Sequence, residues 1–114
     1  MNKLEELRLD RMKQLGCCAC AHLGIVNTGT DVHHILRGNQ RLGDWFTLLL
    51  CPGHHRGVWS AEQLELIPKH KRVAISDGRK AFCKIYPDER FMWEQTQQAL
   101  GLVWPESKIL PRVA

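Results

Sequence analysis

The chain has 114 residues and a formal net charge of +4, with 16 lysines and arginines against 12 acidic residues. This length fits one domain with a single core, and the absence of an 18-residue apolar run excludes a membrane-spanning helix. The five cysteines and six histidines favour metal ligation in a reducing cytoplasm over a disulfide framework. The positive charge is compatible with nucleic acid but does not prove that the chain binds it.

The first predicted element is an amphipathic helix over residues 2–15, which Gly16 is placed to end. Its charged start does not resemble a signal peptide. The apolar positions that recur near one face are Leu4, Leu7, Met12 and Leu15. We interpret it as a packing helix with a solvated basic face. The alternative is a DNA-contacting helix that uses Arg8, Arg11 and Lys13.

Two pairs of metal-ligating residues then occur with the same spacing, Cys17-x-x-Cys20 and Cys51-x-x-His54. Two such pairs on two turns form a closed tetrahedral Cys3His site, which suits structural zinc. Cys18 is too close to Cys20 for the usual ligand spacing, so we interpret it as a small buried thiol.

The segment between these pairs predicts two strands followed by a helix. β-Branched residues around His33 and His34 favour a strand, the glycine-containing stretch 37–44 predicts a loop, and the apolar run 45–50 predicts a second strand. Pro52 marks a helix start that places His55 in the first turns. Neighbouring side chains on a strand point to opposite faces, so one of the paired strand histidines can hold a metal while the other works beside it.

Three further helices are predicted after this unit. A capping box, Ser60-x-x-Gln63, begins a helix that runs to Leu66. The next covers residues 79–86 and the last runs from Pro87 to Leu100, where Gly101 ends it. The expected buried side of the last helix consists of Phe91, Met92, Thr96, Ala99 and Leu100.

The remaining cysteine, histidines and basic residues have simpler interpretations. Cys83 lacks a partner at metal-ligand spacing and is interpreted as a core residue. His22 is assigned to the polar surface, with competition as a metal ligand as the alternative, and His70 is not expected to be a ligand. The cluster Lys69–Arg72 fits phosphate contacts and a solvated loop equally well. Residues 103–114 contain two prolines and are interpreted as a disordered tail or a partner-binding arm.

The stretches Val32-His-His-Ile35 and Leu50-Cys-x-x-His-His-Arg-Gly57 resemble the HNH endonucleases, which share a ββα-metal motif. More closely, they resemble the phage recombination-enhancement (Ref) nucleases, which cut DNA in a RecA-dependent way. The resemblance covers roughly residues 12–102. It predicts an α+β fold with a small zinc-stabilised ββα core. One domain over residues 1–114 would comprise a helix (1–16), the knuckle and core (17–59), helices (60–102) and a tail (103–114).

The resemblance also implies roles for individual residues. His34 matches the general base, while His33 and His55 match the ligands of a catalytic Mg²⁺ or Mn²⁺ ion. The family's middle Asn has no clear match here. Asp44 replaces a histidine that Ref nucleases commonly carry, so it is an oxygen ligand, an orienting acceptor or a sign of altered activity. The predicted DNA contacts are Arg37, Arg41, Arg56, Lys69, Lys71 and Arg72.

The predicted function is therefore metal-dependent cleavage of DNA, with RecA-coated DNA as the partner in recombination. The expected setting is a monomer in the cytoplasm of a bacterial host, encoded by a phage or prophage. The alternative function is that of a non-catalytic, zinc-stabilised DNA-binding module, which leaves His33, His34 and His55 unexplained. A third interpretation is a knuckle that only recruits a protein partner.

Overall fold

The computed structural model describes residues 1–101, and the tail expected at residues 103–114 lies outside them. The strands are β1 Asp31–His34, β2 Leu36–Arg37, β3 Gln40–Arg41 and β4 Thr47–Leu50. The helices are α1 Lys3–Leu15, α2 Cys18–His22, α3 Pro52–Arg56, α4 Ala61–Leu66, α5 Arg79–Cys83 and α6 Glu89–Leu100. This order confirms the α+β class. Within the described residues, none of the helices has the length and apolar character that crossing a bilayer requires.

Strands β1 and β4 form an antiparallel pair that carries the predicted histidines. The register places His33 opposite Leu48 and His34 opposite Thr47. The stretch predicted as a loop contains a second, separate hairpin, because β2 pairs with β3. The second strand of the unit begins later than predicted. Phe46 lies in a turn instead, and its backbone amide donates to the carbonyl of Gly43.

The β1–β4 ribbon lies between two groups of buried side chains. Leu48 and Leu50 belong to the larger core, whereas Leu49 packs with Met12 and Leu100 in a smaller one. Residues directly opposite one another in an antiparallel pair share a face. The side chain of His33 therefore emerges on the Leu48 face, and that of His34 emerges on the face of Leu49.

Helix α1 begins at Lys3, one residue later than predicted, and of its predicted apolar positions only Met12 is buried. Leu4, Leu7 and Leu15 are each about 40 % exposed, whereas Arg8 is 1 % exposed. The guanidinium of Arg8 donates to Oε1 of Gln97 at 2.8 Å, to Oγ1 of Thr47 at 2.8 Å and to the carbonyl of Thr47 at 3.0 Å. Burial lowers the pKa of Arg8 to about 10. The residue is a buried link between α1, β4 and α6, so it does not contact DNA.

The C-terminal helices also differ from the prediction in which residues they bury. Helix α6 buries Met92 and Leu100 as predicted and also Trp93 and Gln97, while Phe91 and Ala99 are exposed. The reason is tertiary, because Trp93 donates to the carbonyl of Trp45 at 3.0 Å and Gln97 accepts from Arg8. Cys83 ends α5 early and is exposed, so its assignment to the core is wrong.

Candidate metal centre and active site

Each of the two predicted ligand pairs forms the first turn of a short helix. The Sγ atom of Cys17 caps α2 by accepting from the amide of Cys20 at 3.3 Å. In the same way, Sγ of Cys51 caps α3 by accepting from the amide of His54 at 3.4 Å. The x-x spacing therefore brings both members of a pair to the same side of a helix N-terminus.

These four residues form one buried cluster, which we call the Cys3His cluster: Cys17, Cys20, Cys51 and His54. Their ligand atoms all lie within 4.8 Å of one another. A tetrahedral zinc ion with Zn–S bonds of about 2.3 Å needs sulfur–sulfur edges of about 3.8 Å. The Sγ atoms of Cys20 and Cys51 are 3.8 Å apart, and Nδ1 of His54 lies 3.3–3.7 Å from the three sulfurs. The cluster can therefore hold a metal ion such as zinc.

The protonation of the cluster is consistent with binding of a cation. Hydrogen bonds from the thiols of Cys17 and Cys20 lower the pKa of Cys51. The same hydrogen bonding, together with burial, raises the pKa of Cys20. Thiolates are the ligand form of cysteine, so an ion entering the cluster displaces the protons that remain.

Side chains outside the cluster orient its ligands. The hydroxyl of Tyr86 donates to the carbonyl of Lys71 at 2.5 Å and lies 2.7 Å from Nε2 of His54. It therefore accepts the Nε2 proton of His54, which leaves the Nδ1 lone pair facing the sulfurs. Gln63 donates to Sγ of Cys51 at 3.1 Å. Sequence reasoning identified Gln63 only as a helix cap and gave Tyr86 no role.

The other histidine of α3 faces a second site. The rings of His55 and His33 lie edge to face with centroids 5.4 Å apart. We use the name histidine pocket for the open pocket of about 300 Å³ lined by His33, His55, Ile75, Ser76 and Arg79. The Cβ alternation of β1 explains the arrangement, because Asp31 and His33 share the face that turns toward α3.

Both imidazoles of the histidine pocket are held by carboxylates. Nδ1 of His55 lies 3.0 Å from Oδ2 of Asp31, and Nε2 of His33 lies 2.8 Å from Oε2 of Glu89. Bonds from His55 and Arg56 lower the pKa of Asp31. Burial by itself would raise the pKa of Glu89, but the bond with His33 and the charge of Arg79 outweigh it and lower the pKa. Both carboxyl groups are therefore ionised at neutral pH.

His34 is not among the residues that line this pocket, and it pairs with Asp44. Its Nε2 lies 3.2 Å from Oδ1 of Asp44, whose carbonyl accepts from Oγ1 of Thr47 at 2.9 Å. The 3.2 Å distance allows Asp44 to accept a hydrogen bond from His34. Among residues 1–101, the Cys3His cluster is the one group of three or more potential ligands with mutual distances this short. The ionised carboxylates of the histidine pocket instead contact one imidazole each.

The sequence matches the family model described as recombination enhancement, RecA-dependent nuclease over residues 4–101. The chain belongs to this family of RecA-dependent nucleases. The match includes the Cys3His cluster, the histidine pocket and the His34–Asp44 pair. A comparison with curated proteins gave no match. Membership of the family gives this RecA-dependent nuclease a general role in DNA recombination.

The predicted DNA contacts of this RecA-dependent nuclease differ in exposure. Arg37 and Arg41 are exposed on the β2–β3 hairpin, and Arg56 is exposed beside Asp31, to which it donates at 2.8 Å. In the basic cluster, Lys69 is exposed, whereas two residues are half-buried: Lys71 and Arg72. Sequence reasoning missed Glu89 and Arg79, which flank His33 from segments far away along the chain.

Proposed function

We propose that the chain is a metal-dependent DNA endonuclease of the HNH type that acts on RecA-coated DNA. The observation that carries this proposal is the convergence of His33 and His55, from β1 and α3, in an open pocket next to the closed Cys3His cluster. The ion of that cluster is proposed to be a structural zinc that fixes the N-terminus of α3. All four of its positions are filled by protein ligands, so it keeps no open position for substrate.

The donor set of the histidine pocket suits a divalent ion. Within the described residues, Nδ1 of His33 and Nε2 of His55 make no hydrogen bond, while their other nitrogens face Glu89 and Asp31. A carboxylate behind a ligating imidazole is the usual arrangement around metals in proteins. Two imidazoles suit Mn²⁺ better than Mg²⁺, which prefers oxygen ligands. A bound ion would neutralise charge on the phosphate and stabilise the leaving oxygen.

His34 is the proposed general base. If Asp44 accepts the Nε2 proton of His34, the Nδ1 lone pair remains available to take a proton from water. A neutral imidazole with a free lone pair can take a proton from water in this way. The alternative, a non-catalytic DNA-binding module, provides no reason for three imidazoles that each face a carboxylate.

The test is single-turnover cleavage of labelled DNA, with and without RecA filaments, across titrations of Mg²⁺ and Mn²⁺. We expect His34→Ala to lower the rate by roughly 10²–10⁴-fold at every metal concentration. His33→Ala should be partly restored by high Mn²⁺, because it removes a ligand rather than the base. His70→Ala is the matched control, since His70 is exposed and outside the pocket.

Two outcomes would contradict parts of the proposal. If His34→Ala cuts at the parental rate while the His33→Ala and His55→Ala variants are inactive, another group is the base. If all three variants cut at the parental rate, the histidines do not form the active site.

A further inference from the structure

We propose that Arg79 binds the scissile phosphate in the histidine pocket and that Glu89 positions it for this task. The inference rests on the proposed function and adds a catalytic residue to it. Arg79 is the first residue of helix α5, and sequence reasoning gave it no role.

The first support is the place of Arg79 in the pocket. Its side chain lines the same pocket as His33 and His55. It is about half exposed, so a DNA strand lying over the pocket can reach it. Among the residues that line this pocket, Arg79 is the one permanently charged cation. A phosphodiester that approaches the two imidazoles therefore meets a positive charge on the neighbouring wall.

The second support is the way Glu89 fixes Arg79. One carboxylate oxygen, Oε1, lies 2.5 Å from Nε of Arg79, and the other, Oε2, lies 2.8 Å from Nε2 of His33. The Glu89 side chain is only 12 % exposed, so this bridge is held within the protein. One buried carboxylate thus sets the position of the guanidinium relative to the imidazole proposed to bind the ion.

The third support is the geometry of the guanidinium fork. Nε of Arg79 is occupied by Glu89, whereas its two terminal nitrogens make no hydrogen bond within residues 1–101. Their donors remain for two oxygens of one phosphate, the bidentate contact in which arginine surpasses lysine. A preorganised donor at the position where charge develops lowers the barrier at the chemical step, in addition to any effect on binding.

The experiment compares Arg79→Gln and Arg79→Lys with the parent. Single-turnover cleavage at saturating DNA in Mn²⁺ gives the rate constant, and titration of the DNA gives Kd. We expect Arg79→Gln to lower the rate constant by about 10²-fold, with a smaller rise in Kd, and Arg79→Lys to recover only part of the loss. The control is Arg90→Gln, because Nε of Arg90 also binds a carboxylate, that of Glu94 at 3.1 Å, but away from the pocket.

A second variant separates positioning from general structure. Glu89→Gln should lower the rate less than Arg79→Gln does. If Glu89 acts in part through Arg79, the loss in the double variant should be smaller than the product of the two single losses, and the loss beyond that of Arg79→Gln reports the contact of Glu89 with His33. Fully multiplicative losses would overturn the positioning role of Glu89. Melting temperatures within a few degrees of the parent would show that the variants remain folded.

A third readout does not depend on cleavage. Inorganic phosphate is titrated into parent and Arg79→Gln proteins while the ring resonances of His33 and His55 are followed by NMR. We expect saturable shifts in the parent that Arg79→Gln removes. If the parent shows these shifts but does not cut DNA, phosphate binding by Arg79 is supported and the proposed nuclease function fails. If Arg79→Gln binds phosphate and cuts like the parent, the inference about Arg79 is overturned and the proposed function remains.

Discussion

His54 and His55 are neighbours on the same short helix, yet they belong to two sites with opposite properties. His54 is fully buried and turns its Nδ1 toward three cysteine sulfurs. His55 is half-buried and turns toward Asp31 and the open pocket that it shares with His33. Successive residues of an α-helix are rotated by about 100°, so adjacent imidazoles on α3 necessarily face different surroundings.

The difference between the two sites lies in what each leaves available to a ligand. In the Cys3His cluster, four protein atoms surround one point and exclude any further ligand. In the histidine pocket, the carboxylates of Asp31 and Glu89 hold the rings from behind and leave one nitrogen of each ring open. The first arrangement suits a role in stability, and the second suits a reaction.

The strongest test of this contrast is Cys51→Ser. We expect loss of bound zinc and a large drop in melting temperature, because the cluster joins α2 to α3 and a structural zinc can supply about 10 kcal/mol to a small domain. Elemental analysis of chelator-washed protein and thermal unfolding followed by circular dichroism measure both effects. The control is Cys83→Ser, since Cys83 is exposed and does not belong to the cluster. A Cys51→Ser variant with parental zinc content and stability would show that the cluster holds no structural metal.

A smaller effect is expected from Gly53→Ala, which perturbs the buried side of α3 without changing either histidine. A Cβ atom at residue 53 would lie 2.4 Å from the ring of Trp59, whose edge packs against His54 with ring centroids 5.0 Å apart. Displacing this ring should cost about 1–3 kcal/mol of unfolding free energy, measured by urea denaturation.

Gly29→Ala provides the comparison for this substitution, because its new Cβ would meet only Asn27 Oδ1 at an ordinary 3.6 Å. Equal stability of the two alanine variants would show that the ring of Trp59 moves aside at no cost in unfolding free energy. A Gly53→Ala variant that loses cleavage at unchanged stability would mean that the two sites are less independent than their geometry suggests.

The smallest effect is expected from replacing Lys69, Lys71 and Arg72 together by alanine. Tyr86 links this segment to the Cys3His cluster, because its hydroxyl bonds both His54 and the carbonyl of Lys71. The three basic side chains themselves belong neither to the Cys3His cluster nor to the lining of the histidine pocket. DNA affinity should fall for all sequences alike, and the dependence of log K on log salt should become shallower by about one unit for each phosphate that is no longer neutralised. Fluorescence anisotropy at several salt concentrations measures this slope, with Lys3→Ala as the control. An unchanged slope would remove the segment from the DNA-binding surface.

Local sequence patterns predicted the parts of the structure that depend on neighbouring residues. The x-x spacing in Cys17–Cys20 and Cys51–His54 identified the cluster, because each pair spans one helix turn. The proline after Cys51 and the capping box at Ser60 likewise gave the starts of α3 and α4. The alternation of side chains along β1 correctly separated His33 from His34.

The tertiary structure alone decided which partners reach a residue from distant segments of the chain. Glu89 reaches His33 across 56 positions of sequence, and Arg8 reaches Gln97 across 89. The burial of Arg8, the inward turn of Gln97 and the exposure of Phe91 all contradict simple apolar periodicity. A periodic pattern records which face of an element is apolar, but a buried polar group is stable only where another element supplies its hydrogen bonds. Whether such hydrogen-bond partners are present depends on how the elements pack together, and the local sequence around each residue does not contain this information.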